Sequence, residues 1–213
     1  MLAAAFAAAL ACAATAFAGS NTYKLRISPE GTAAARAALL TKSDLGSAWT
    51  GGPVKPSAFK PEVCANYHPK YSDLVLTGSA AAVFKQPGLY VRSEAGVLQT
   101  AKMVERDWAR SIASRNYLAC ERTVGKRRST PKEKFVAISQ IRIPAIGTHS
   151  ALFRLITDVK TKTGTVRVAS DVMLIGQGSS ELTLMTVMPL ASVPLLFPNE
   201  LVLAKTMLRR VRV

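Results

Sequence analysis

Four runs between residues 135 and 188 alternate apolar with polar side chains and are separated by short turns, and nothing else in the chain limits the fold as much. Phe135 to Ile143 puts Phe135, Ala137, Ser139, Ile141 and Ile143 on one side before Pro144 and Gly147 turn the chain. Ala151 to Val159 points Phe153, Leu155 and Val159 inward and Arg154, Asp158 and Lys160 outward. Beyond the turn Lys160 to Gly164, Val166, Val168, Val172 and Leu174 alternate with Arg167 and Asp171, and Gly176 to Ser180 leads into Leu182 to Met188. Successive side chains of a strand point to opposite faces, so period two with short connections predicts an antiparallel meander of four strands with one wet face.

The rest of the chain supplies another strand pair and the helices that cover the sheet. Asp73 to Phe84 and Leu89 to Ser93 form an N-terminal strand pair broken at Gln86-Pro87-Gly88, a turn sequence. Val97 to Cys120 is expected as one long helix, with Val97, Ala101, Val104, Trp108, Ile112 and Ala119 on its buried stripe and Lys102, Glu105, Arg106 and Arg110 away from it. A second main helix starts at Pro198-Asn199-Glu200 and runs from Leu201 to Arg210, and Thr32 to Leu40 is a short helix of good formers. Gly51 to Pro61, with three prolines and two glycines, is a surface connection that delivers Cys64. The expected class is α+β, a sheet packed against two main helices in one domain spanning 19–213.

Compartment follows from the first residues and the cysteines. MLAAAFAAALACAATAFA carries no charge and ends on Ala16-Phe17-Ala18, which reads as a secretory signal peptide (1–18) cleaved after Ala18; a buried Ala-rich helix is the competing reading. Cys12 falls in that segment, where Ala9-Leu10-Ala11-Cys12 loosely resembles a lipidation box. Cys64 and Cys120 are then left as an even pair in an oxidising compartment, expected to be bonded, against the alternative of two buried thiols.

Chemistry is sparse. The histidines, His68 and His149, have no Cys, Asp or Glu at metal-ligand spacing and read as loop residues. No Gly-x-Ser-x-Gly occurs, Gly176-Gln-Gly178-Ser-Ser-Glu181 reads as a hairpin turn, and Glu105 and Asp107 are two apart on a helix and do not face each other. No catalytic, cofactor-binding or metal-binding residue is assigned. One dense feature remains: Arg122, Lys126, Arg127, Arg128, Lys132 and Lys134 stand against Glu121 and Glu133 in a chain of net charge +15. Arg122, Lys126, Arg127 and Arg128 are the candidate anion-binding patch, with a solvated basic loop as the plainer alternative. The loop has no aromatic residue to stack on bases, which, with export, argues against a nucleic-acid partner.

Ala38-Leu-Leu-Thr-Lys-Ser-Asp44-Leu45 through Trp49, then Cys64, Ser72-Asp73-Leu74, Trp108 and Cys120 form a pattern that resembles uncharacterised secreted or lipid-anchored actinobacterial proteins, and through them the extracellular sensor domain of a mycobacterial serine/threonine kinase. The resemblance implies an antiparallel sheet packed on helices around a ligand-binding cleft; this sequence departs from it in having one cysteine pair where the kinase sensor is expected to have two. The expected function is an exported, non-enzymatic, sensor-like domain. Its partner would be a small molecule, a lipid or an anionic envelope component, with peripheral membrane or cell-wall association. Two alternatives stay open: a hydrolase or transferase assembled from residues such as His68, Ser72 and Asp73, and a structural envelope protein.

Overall fold

The computed structural model describes residues 21–57 and 64–211. The segment read as a signal peptide, with Cys12, lies outside them.

The elements in chain order are β1 (Lys24–Leu25), α1 (Pro29–Ala37), α2 (Lys42–Leu45), β2 (Thr50–Val54), β3 (Val75–Gln86), β4 (Leu89–Leu98), α3 (Ala101–Arg110), α4 (Tyr117–Arg127), β5 (Glu133–Ile141), β6 (His149–Thr161), β7 (Gly164–Gln177), β8 (Ser180–Pro189) and α5 (Val193–Arg209). The protein is α+β. All eight strands belong to one sheet of order β1-β3-β4-β8-β7-β6-β5, with β2 on β3 and only the β1–β3 pair parallel. The expected sheet of a four-stranded meander plus a strand pair is thus enlarged to eight strands by β1 and β2, and β4 pairs with β8 from Tyr90↔Val187 to Val97↔Ser180. The connection expected to be irregular contributes β2, which tolerates Pro53 because β2 has a single strand neighbour.

Both faces of the sheet are covered, so the expected wet face is absent. On one face Ala82, Phe84, Val91, Leu152, Met173 and Leu184 pack against Ala35 and Leu39 of the α1 region and Ala204 and Met207 of α5. Asp171, expected outward, is 1% exposed on this face, where Arg154 grips it with hydrogen bonds of 2.7 and 2.5 Å. Helix α1 starts on Ser28, whose Oγ accepts the Gly31 amide at 3.0 Å. Its first turn lies on the β3 backbone, and a Cβ on Gly78 would sit 2.0 Å from the Gly31 carbonyl carbon.

The other face carries α3 and α4, and here the single helix expected over Val97–Cys120 is corrected. Val97 belongs to β4, whose alternation continues to Leu98. Helix α3 begins only after Thr100, whose Oγ1 caps the Met103 amide at 3.3 Å. It stops at Ser111, whose Oγ bonds back to the Asp107 carbonyl at 2.7 Å in a Ser/Asn-rich stretch that competes with helix formation. Helix α4 then starts at Tyr117, so Cys120 lies inside it and not at a helix end. The two-helix expectation is likewise short of the five helices described, and α5 begins at Val193, passing through Pro198 because Val193 is buried against Ala169 and Met188.

Candidate functional site

Between the sheet and the α3–α4 pair lies a cavity of ≈ 350 Å³. Four stretches distant in sequence wall it. Helix α3 presents Asp107 and Trp108, and α4 presents Tyr117 and Glu121, one turn apart on the same face. Strands β4 and β8 supply Glu94 and Glu181 from the floor, and Tyr23 comes from the chain just before β1. The last wall is the segment holding Tyr67 and Tyr71, fixed by the Cys64–Cys120 disulfide, whose Cα atoms are 5.6 Å apart. The expected bond is present, and it closes the cavity by pinning this segment to α4.

Four of the five tyrosines in the chain line the cavity. Tyr23 tilts against Tyr71 with ring centroids 5.5 Å apart, and Tyr117 makes edge contacts with Tyr67 at 5.8 Å and with Phe153 of β6 at 4.8 Å. Trp108 stacks on His149 at 5.2 Å. Such rings give flat apolar walls with hydroxyl groups at their edges.

The polar centre is Asp107. Its Oδ2 accepts from the Tyr23 hydroxyl, its Oδ1 accepts from Ser111 Oγ at 3.1 Å, and Glu181 hydrogen-bonds to it from the floor. Burial raises the Asp107 carboxyl despite these donors. Burial, reinforced by the Asp107 charge, drives Glu181 well above the ordinary carboxyl range. Burial and the closeness of the two groups thus oppose ionising both carboxyls together. Burial also raises the phenols: Tyr67 to about 12, and Tyr23, Tyr71 and Tyr117 further. They stay neutral donors. Glu94 at the rim differs, being paired with Arg92, whose Nε donates to it at 2.9 Å.

The candidate anion patch lies elsewhere. Arg122, Lys126 and Arg127 are on α4 and Arg128 caps it; all four are exposed and none lines the cavity. The expected basic loop is thus the outer face of a helix. That helix continues through Gly125 because the Phe135 ring fills the space a side chain would need: a Cβ at position 125 would sit 2.4 Å from the ring. The residues suggested for an assembled enzyme site do not converge on the cavity. His68 Nε2 contacts the Ala65 carbonyl at 3.1 Å on an exposed turn. Asp73 pairs with Arg110 at 2.7 Å and Arg106 at 3.2 Å, and the Arg110 guanidinium holds its carboxyl far below the usual range. Among the described residues no three His, Cys, Asp or Glu side chains cluster to hold a metal ion, and no helix is long and apolar enough to cross a membrane.

Asp107 escapes a reading of the sequence because it sits in a helix among charged neighbours, and Glu181 because it follows a glycine turn. The tyrosines carry a usable signal: Tyr67 and Tyr71 follow Cys64 closely and Tyr117 precedes Cys120, so the expected bond already gathers three of them. Compared with protein-family models and with curated proteins, the chain matches none of them.

Proposed function

We propose that this chain is an exported, non-enzymatic, sensor-like domain that binds a small ligand in the cavity between its sheet and α3–α4. The observation that carries the reading is the cavity itself: ≈ 350 Å³ walled by aromatic rings, with a hydrogen-bonded carboxyl pair at its centre. Apolar walls with few convergent polar groups are the usual make-up of a small-molecule site. A disulfide holding one wall to another suits an oxidising compartment. The outer face of α4, with Arg122 and Lys126 exposed, supports docking on an anionic envelope component.

A second reading, a hydrolase, is favoured by one observation: Asp107 and Glu181 are two adjacent buried carboxyl groups with raised pKa values, and such a pair can act as acid and base. Against it, His68, Ser72 and Asp73, the residues expected to assemble such a site, do not line the cavity. Native mass spectrometry of the protein from its own envelope fraction tests the main reading. A bound small molecule retained by the parent protein and lost in Trp108→Ala supports it; an equal load in a variant that fills the cavity, Gly96→Leu, would exclude the cavity as the site.

A further inference from the structure

The chain carries 28 basic and 13 acidic residues, yet among the described residues no Lys or Arg lines the cavity, while Asp107 and Glu181 meet at its centre. Neither of these two is ion-paired with a basic side chain among the described residues; their partners are Tyr23, Ser111 and each other. We propose that the cavity takes an organic cation, a protonated amine seated on Asp107 and Glu181 with its hydrocarbon part against Tyr23, Tyr71 and Trp108. This rests on the cavity being the ligand site, as argued above, and specifies what enters it.

Three physical arguments lead there. A ligand carboxylate or phosphate would face Asp107 and Glu181 with no basic side chain in the cavity lining; Arg110, whose charge reaches Asp107, lies outside it and is ion-paired with Asp73. A cation gains twice, from the carboxyl oxygens and from the negative faces of aromatic rings, an attraction that grows when water is excluded. The volume admits roughly ten water molecules' worth of ligand, which fits a small amine and not a polymer.

Binding has a proton balance. Glu181 gives its proton to the buffer, the ammonium arrives charged, and its N–H groups replace that proton between Glu181 and Asp107. The other titratable groups facing the pair do not compete: Tyr23 and Tyr71 keep their raised phenol protons, and Glu94 is held by Arg92. Tyr67 and Tyr117 also keep raised phenol protons; Glu121 lines the cavity from α4, where its charge acts on these two phenols and adds to the attraction for a cation, and Arg110, ion-paired with Asp73, lowers the Asp107 carboxyl from outside the cavity.

Isothermal titration of the full chain with cyclohexylammonium, cyclohexanol and cyclohexanecarboxylate tests this, since the three share one ring and differ in charge. The ammonium should bind at least about tenfold tighter than the alcohol, the scale of one charged hydrogen bond, and the carboxylate more weakly than either. Its heat should change between buffers of different ionisation enthalpy as up to one proton is released. Glu181→Gln should weaken the ammonium about tenfold and abolish the proton release, with the alcohol unchanged. The ligand series on the parent protein stands even if that variant folds poorly. Equal binding of all three, weakened alike by Trp108→Ala, would overturn the cation and leave the site. Binding by none at the solubility limit would overturn both.

Discussion

Replacing Glu200 by Gln isolates a single buried proton. Glu200, on α5, is 3% exposed; its Oε1 accepts from Thr186 Oγ1, and its Oε2 has no hydrogen-bond partner among the described residues. Burial, opposed by the Thr186 hydrogen bond and reinforced by the Asp171 charge, pushes its carboxyl up to about 8. At neutral pH Glu200 therefore keeps its proton, because the Asp171 carboxylate, which Arg154 grips, disfavours a second negative charge beside it. In the unfolded chain a glutamate titrates near about 4.3. Between these limits the native state holds a proton that the unfolded chain has lost, so stability falls as pH rises, by about 1.4 kcal/mol per pH unit. The penalty is absent below the unfolded value and complete above the folded one. Gln keeps the shape and the donor and does not titrate. The stability of Glu200→Gln minus that of the parent should grow by roughly 4 kcal/mol at most between about pH 5 and 8. Urea denaturation at intervals of one pH unit measures it, and the other titrating groups cancel in the difference. A constant difference across the interval would refute the reasoning, because Glu200 would then be ionised in the native state.

Gly78→Ala should cost about 1–3 kcal/mol, as overpacking does, because the new methyl would meet the Gly31 backbone at 2.0 Å; urea titration should show it, and unchanged stability would mean that α1 does not rest on β3. Replacing Cys64 and Cys120 together by Ser should cost about 2–4 kcal/mol. It should also raise protease cleavage between residues 64 and 71; alkylation of either thiol in the parent protein without reductant would disprove the bond. Changing Lys126, Arg127 and Arg128 to Gln should lower the salt concentration that releases the protein from anionic lipid or wall polymer, since exposed charge is screened by salt; no change would remove the patch from the binding surface.

The strands are legible in the sequence and the long helix is not, for related reasons. Alternation survives in β6 to β8 because each strand faces apolar neighbours on at least one side, and a one-residue slip would expose them, whereas a bulge between Phe135 and Ala137 breaks it in β5 and leaves Ala137 exposed. Val97 fits both a strand face and a helix stripe, and pairing with Gly78 of β3 and Ser180 of β8 decides between them. The covering of the second face is hidden too. Arg154 and Asp171 alternate as if solvated, yet they pair with each other beneath α5, an arrangement that depends on a helix far along the chain. The disulfide can be inferred by counting, whereas its consequence, a cavity wall, cannot.

Helix α4 shows why net charge is a poor guide to a ligand. At one-turn spacing Tyr117 and Glu121 look into the cavity, Cys120 and Val124 are buried in the packing, and Arg122 and Lys126 face water. Basic side chains cost little at the surface, where water solvates them, so a charge of +15 can accumulate there without touching the interior. A carboxyl group behind the same helix is desolvated and answers to its immediate neighbours: for Asp107 these are a phenol, a serine and another carboxyl. The surface and the cavity therefore select for opposite charge. An anionic envelope component would be held by the outer face of α4 and an amine by its inner face, and both could be bound at once because the helix keeps the two sets of groups on opposite sides.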